Sequence, residues 1–205
     1  MILSLEELHR LEMMQLKKER ELSDPDPDMW RWSPLEIVEF ARMLNVARQL
    51  VLDGLRRLTF MEAGSGIGTK LYLAQYHFGM KAIGYEINEG YIEQAGDLNV
   101  ETVKCDLRTE KPAWDDADIV YIARPFKDDA YETAWENEVM DRMRRGTALI
   151  SAYAAVKPYK WQCHYRAPFR GVWIKPLASP IYDAMIRRTT TGSDPLVSEP
   201  SSARR

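Results

Sequence analysis

Residues 58–86 limit what this chain can fold into more than any other stretch. Leu58-Thr59-Phe60-Met61 is short, apolar and β-prone, as a buried strand should be. It runs through Glu62-Ala63 into Gly64, Gly66 and Gly68, glycines at every second position. Glycine there permits positive φ and lets a ligand reach the backbone with no Cβ in the way. Leu71, Leu73, Ala74 and Phe78 give residues 69–78 a helical pattern whose free N–H groups face the loop. Lys81–Glu86 reads as a second strand and closes on a carboxylate eighteen residues after Gly68. Together these describe a nucleoside-binding βαβ unit, with the acid placed to accept from ribose hydroxyls. The plainer alternative is a tight glycine turn without a ligand. The strand–loop–helix–strand–acid context argues against it.

Spacing within the loop decides which nucleoside. A dinucleotide site wants G-x-G-x-x-G, and here the third glycine comes one residue early, with Glu62 two residues ahead of the first. Glu62-x-Gly64-x-Gly66-x-Gly68 resembles the first motif of class I S-adenosylmethionine-dependent methyltransferases. The resemblance implies that Glu62, Gly64, Ser65, Gly66 and Gly68 hold the methionine end of that cofactor and Glu86 its ribose. A sulfonium ligand carrying an α-amino group tolerates a carboxylate at the loop, where a pyrophosphate would be repelled. The same resemblance implies a Rossmann-like sheet of seven strands, mostly parallel, with helices on both faces.

Length and composition agree with one such domain. The chain has 205 residues, 45% of them apolar, enough for a single α/β core with small additions. No apolar run approaches the roughly 18–20 residues of a membrane span, and the first residues lack a basic region with a long apolar core. Cys105 and Cys163 make neither a disulfide framework nor a metal site, so a reducing cytoplasm and no bound metal are expected. Net charge is −3 but unevenly spread. Residues 142–205 hold twelve Lys or Arg against Asp183, Asp194 and Glu199, a balance of +9, which leaves −12 for residues 1–141. Such asymmetry suits an acidic partner such as nucleic acid, or equally a solvated basic face opposite an acidic one.

Three segments follow from this organisation: residues 1–28 as a helical extension with a Pro/Asp linker, 29–178 as the domain, and 179–205 as a largely disordered tail. Leu5, Leu8, Leu11, Met14 (or Met13) and Leu16 would form the inner side of a helix over 4–22, with Ser4 and Glu7 as a capping box. Ser33, Pro34 and Glu36 have the form of a second helix start, followed by an apolar face that includes Val38. An aromatic followed by Ser-Pro also resembles a motif of amino-methyltransferases, which would put Trp32 and Ser33 against the methionine moiety. A helix cap beside a packed tryptophan is the alternative.

Later strands supply the remaining candidates. Asn88 caps a short helix ended by Gly96-Asp97, and 100–104 reads as strand three, closing on Asp106, which by resemblance accepts from the adenine amine. Residues 117–122 form the clearest remaining strand and deliver Ala123-Arg124-Pro125-Phe126 to the carboxyl edge, where open α/β sheets keep their chemistry. Pro125 and Phe126 match the family's amine-methylating motif. Ala123 and Arg124 lack its polar acceptor, which counts against methylation of a base amine and leaves Arg124 to bind an anion. Phe126 would stack on a planar acceptor, or lie in the core with Arg124 bridging a helix carboxylate. Ala134, Trp135, Val139, Met140 and Met143 are expected inward on a helix over 128–145 that Gly146 stops. Tyr153 sits at the next strand end, and with Lys127 and Asp128 it is the nearest group to the expected chemistry. Tyr159–Arg166 and Gly171–Lys175 are expected to form the last antiparallel hairpin, and the aromatic and basic residues of 142–188 either cover the core or meet single-stranded nucleic acid.

The resemblance thus implies an S-adenosylmethionine-dependent methyltransferase with its acceptor open. A methyltransferase-like binding module without catalysis, and a nucleic-acid methyltransferase using the C-terminal third, are the alternatives.

Overall fold

The computed structural model describes residues 2–21, 35–51, 56–153 and 161–177. The chain divides into two compact units, Met1–Lys175 and Pro176–Arg205, and the second is described only at its first two residues. In the first, seven strands make one sheet in the order β3-β2-β1-β4-β5-β7-β6. The strands are β1 (Thr59–Ala63), β2 (Lys81–Glu86), β3 (Glu101–Lys104), β4 (Ile119–Ile122), β5 (Ala148–Ala152), β6 (Gln162–Ala167) and β7 (Arg170–Ile174). The first five are parallel, and β7 runs antiparallel to both β5 and β6. This is the sheet expected from the resemblance.

The central strands are buried on both faces, which explains their near-continuous apolar sequences. Phe60, Tyr121 and Ile150 point to one face, under the helices α1 (Leu5–Glu21), α2 (Ile37–Leu50) and α3 (Thr69–Tyr72). Met61, Val120, Ile122 and Leu149 point to the other, joined by Trp135, Val139 and Met143. Trp135 and Val139 belong to α5 (Asp129–Arg142), which follows α4 (Glu89–Asp97) in the chain.

Local signals placed most helix starts. Ser4 and Glu7 exchange both capping-box hydrogen bonds, at 2.7 and 3.2 Å. The Asn88 side chain accepts from the N–H groups of Gly90 and Tyr91, and Asp128 accepts from Tyr131. Gly146, at φ +84°, turns the chain after α5.

Expectations about four helices need refinement. The helix after the glycine loop is α-helical only to Tyr72 and continues as a π-helix over Leu73–His77. On α1 the inner face is Leu8, Glu12 and Gln15, whereas Met14 is 60% exposed and Met13 exposed as well. On α5, Glu132 and Glu136 turn inward while Ala134 faces out, and Val38 of α2 is also exposed. On α1 and α5 the inward carboxylates are held by polar contacts, Glu12 by Thr69 and Lys70 and Glu132 by the Phe126 N–H, while the apolar stripe of α2 faces in as its periodicity predicts. The proposed cap at Ser33 lies outside the described residues, and the residue preceding α2 is Glu36, with no side-chain cap bond.

At the amino end of β4, buried Asp118 gathers the base of the sheet. Its carboxylate accepts from the Thr59 N–H at 2.8 Å and pairs with the guanidinium groups of Arg56 and Arg144. Arg144 is therefore committed to the fold, as are two more cations of the basic C-terminal stretch. Arg170 pairs with Glu39 of α2, and Lys175 donates to the carbonyls of Met140, Asp141 and Met143, where α5 ends. Part of the charge asymmetry is internal wiring.

Candidate cofactor cleft

The carboxyl ends of β1, β2 and β4 meet where strand order reverses, between β1 and β4, the place where open α/β sheets bind ligands. Here the loop takes the conformation its glycines allow: Gly64, Gly66 and Gly68 have φ of +68°, +54° and +79°. A Cβ on Gly64 would meet nothing within 4 Å, so the loop backbone borders open space there. At Gly68 a Cβ would lie 2.8 Å from Val100, where helix and strand close together.

Strand β2 holds this loop in place. Tyr85 O accepts from the N–H groups of Gly64 and Ser65, at 2.9 and 3.1 Å. Glu86 accepts the Gly66 N–H on Oε2 at 2.8 Å, and those of Ile87 and Asn88 on Oε1 at 2.9 Å. Burial raises the Glu86 carboxyl above its ordinary pKa, and the three N–H groups oppose that shift. Sequence reasoning expected the strand-end acid beside the loop but not this clamp on Gly66.

Glu62 lies buried on β1, with Oε2 lacking a hydrogen-bond partner. Burial drives its pKa well up, against the pull of Lys70, while Glu12 and Glu86 push it further. Ser65 Oγ is also buried without a partner. Natural interiors rarely leave such atoms unpaired, and each costs about 1–3 kcal/mol. A carboxylate oxygen and a hydroxyl awaiting partners beside an open glycine loop fit a ligand that brings a cation and polar atoms. That is the character of S-adenosylmethionine, so the residues present suit the cofactor implied by their sequence.

The other candidates are placed as follows. Trp32 and Ser33 lie outside the described residues. Asp106 sits just past β3, but its carboxylate is bound by Arg108 through Nε at 2.9 Å and Nη2 at 3.0 Å, and this pair holds its pKa down. Phe126 is in the core at 2% exposure, edge-on to Tyr131 and Trp135. Its ring is thus packed where an acceptor could not stack on it, the second of the two placements open to it. Arg124 pairs with Asp129 at the start of α5, also the second placement. Tyr153 projects at the end of β5, 44% exposed, and its N–H donates to Phe169 O at 2.6 Å. Arg124, Tyr153 and Phe169 all have positive φ, of +46°, +60° and +61°. Such backbone costs about 1–3 kcal/mol per residue and collects at functional sites. All three lie at the carboxyl ends of β4 and β5 or at the β6–β7 turn beside them. A separate cavity of about 150 Å³ lies against α5, lined by Leu107, Trp114, Trp135 and Arg142 among others, and takes in no glycine-loop residue.

Beneath the Arg124–Phe126 turn is a feature the sequence did not suggest. Glu132 is fully buried, accepts the Phe126 N–H at 2.8 Å, and neighbours buried Glu136 one helical turn on. Burial first, then Glu136, raises its carboxyl from 4.5 to about 9. A raised folded pKa means the stabilising contribution is complete below the unfolded value and is lost as pH climbs toward 9. The loss runs at up to about 1.4 kcal/mol per pH unit across that window. Glu132→Gln keeps an oxygen for the Phe126 N–H and cannot ionise. Its melting temperature relative to wild type should therefore rise steadily between pH 5 and pH 8. Parallel curves for the two proteins would show that Glu132 does not carry this titration.

Fold and loop together define the class I methyltransferase architecture. No family model matches the chain, and no curated protein does. Solved structures do. An RNA methyltransferase from Salinibacter ruber, in complex with S-adenosylhomocysteine, superposes with a TM-score of 0.52 at 18% identity, over 72% of this chain and 97% of its own. The human methyltransferase 10 domain containing protein gives 0.54 at 13%, over 86% and 98%. A Listeria monocytogenes protein assigned to the class I S-adenosylmethionine-dependent methyltransferases gives 0.53 at 12%, over 92% and 79%. At such identities the likeness is one of fold. Among the described residues no helix is long and apolar enough to cross a membrane, and no cluster of His, Cys, Asp or Glu could hold a metal ion.

Proposed function

We propose that this protein binds S-adenosylmethionine at the 64–68 loop and transfers its methyl group to an acceptor at the carboxyl edge of β4 and β5. The observation that carries the reading is buried Glu62, whose Oε2 has no hydrogen-bond partner, beside the open glycine loop that Glu86 clamps. When bound, the cofactor supplies an activated methyl on sulfonium. The protein's contribution is then mainly to orient donor and acceptor. Glu62 and Ser65 serve the methionine end, with Trp32 and Ser33 as further contacts. Glu86 serves the ribose, and Asp106, if released by Arg108, the adenine.

On the acceptor side Arg124 and Tyr153 border the expected position, and Phe126 underlies it. With no polar acceptor at residue 123, the reading favours substrates other than a base amine. Nucleic acid is the second reading, and exposed Phe169 (80%) beside Tyr153 favours it, because two surface rings can stack on bases. The two unpaired cysteines fit a reducing cytoplasm.

Incubation with methyl-tritiated S-adenosylmethionine and separate RNA, protein and small-molecule fractions tests transfer. Label should enter one fraction above a Glu86→Ala control. Cofactor binding with no label in any fraction would instead mark a binding module. Once the acceptor is known, Arg124→Ala should lower kcat/KM about tenfold or more while leaving cofactor affinity unchanged. An unchanged kcat/KM with a reduced melting temperature would make Arg124 a structural brace for Asp129.

A further inference from the structure

Helix α1 buries an unusual stripe. Leu8, Glu12 and Gln15 lie one helical turn apart on its inner face, and two of the three are polar. Glu12 is only 1% exposed, and its Oε1 accepts from Thr69 Oγ1 at 2.6 Å and from Lys70 Nζ. Thr69 and Lys70 are the first residues of α3, directly after Gly68, and both are buried. Lys70 Nζ also lies 5.8 Å from the centroid of the Phe40 ring. Glu62, close enough to feel both Lys70 and Glu12, has no partner for its second oxygen. One buried cation thus lies near two buried carboxyl groups, and the one that holds it, Glu12, comes from a separate helix.

Two buried carboxyl groups around one ammonium make an uneven cluster, in which burial favours the neutral form of Glu62. A buried ion pair seldom adds more stability than well-packed apolar side chains would, so a lone packing helix has little reason to carry Glu12 inward. An α-amino acid zwitterion brings one carboxylate and one ammonium. Exchange of Glu12 for that zwitterion leaves two matched pairs, carboxylate with Lys70 and ammonium with Glu62. We propose that Thr69 and Lys70 form the subsite for the carboxylate of the cofactor's methionyl end, and that Glu12 is an intramolecular stand-in for it. This deepens the proposed function and rests on it. Ligands with a free amino-acid end displace Glu12 and loosen α1, and ligands without one leave it seated. The start of α1 can stay tethered meanwhile, because Leu3 N–H donates to Tyr72 Oη at 2.8 Å and Leu3 O meets the His77 ring at 2.8 Å.

The test compares S-adenosylhomocysteine with 5′-deoxy-5′-methylthioadenosine, which keeps the nucleoside and lacks the amino-acid end. In the wild-type chain, hydrogen exchange over residues 5–21 should speed up with the first ligand and stay unchanged with the second. By calorimetry, Glu12→Gln should tighten S-adenosylhomocysteine about three- to tenfold, since the competing carboxylate no longer occupies the subsite. Lys70→Met should weaken it about 10- to 100-fold, and neither variant should change the affinity for methylthioadenosine. Slower exchange in α1 with S-adenosylhomocysteine, or equal or weaker binding by Glu12→Gln, overturns the subsite while leaving the cofactor reading intact. Wild-type protein that binds neither ligand overturns both. If Glu12→Gln does not fold, the wild-type exchange pattern decides alone.

Discussion

Glu86→Ala should remove most of the cofactor affinity and destabilise the protein at the same time. The carboxylate takes three main-chain N–H groups, from Gly66, Ile87 and Asn88, so its loss strands three donors at a buried strand end. Partial rescue by water would hold the cost to about 3 kcal/mol, within the usual range for unsatisfied buried groups. Loss of the ribose contact and of the clamp on Gly66 should weaken S-adenosylhomocysteine by about 1.5–3 kcal/mol, roughly 10- to 150-fold. Glu86→Gln retains one acceptor oxygen and should fall between. Calorimetry on the folded fraction reads the affinity and thermal melts the stability. Wild-type affinity in a folded Glu86→Ala protein would show that the acid supports the loop without touching the ligand.

The opposite result is expected at the other end of the sheet. Asp118 is also a buried carboxylate that accepts a main-chain N–H, but it lies at the amino end of β4 among two arginines. Removing it strands the Thr59 N–H and unpairs two arginines whose side chains are nearly half exposed, at a cost of about 2–3 kcal/mol. For a chain of this size that is a fall of roughly 4–12 °C in melting temperature. Some four residues of strand, about 15 Å, separate Asp118 from the cleft. Asp118→Ala should therefore leave the affinity of the folded protein unchanged within about twofold. A melting temperature within 2 °C of wild type, or a tenfold loss of affinity in folded protein, would contradict this division of labour between the two edges.

What could be read from the sequence was local. The 64–68 loop needs glycine at three positions because all three have positive φ, and that requirement shows in the spacing itself. Strand β2 was bounded correctly because an apolar run ends on a carboxylate, and the Ser4–Glu7 and Asn88 caps follow from short-range chemistry. What could not be read was polar pairing across long separations. Glu12 reaches Thr69 and Lys70 nearly sixty residues on, and Glu39 reaches Tyr165 and Arg170 well over a hundred away. These contacts add buried carboxylates to the faces of α1 and α2, whose apolar members Leu8, Phe40, Leu44 and Ala47 face in, while Met14 and Val38 do not. Phe126 was legible as an aromatic at a strand end, and Trp135, Val139 and Met140 as the inward side of α5, but not the packing of Phe126 against Trp135 and Tyr131.

The proposed function requires that the glycine loop and its two acids take S-adenosylmethionine and not a dinucleotide. Calorimetric titration of the full chain with S-adenosylhomocysteine and, separately, with NAD tests it most directly. Saturable heat for one site per chain is expected with S-adenosylhomocysteine, and none with NAD. No heat with S-adenosylhomocysteine at millimolar concentration, or saturable binding of NAD, would contradict it.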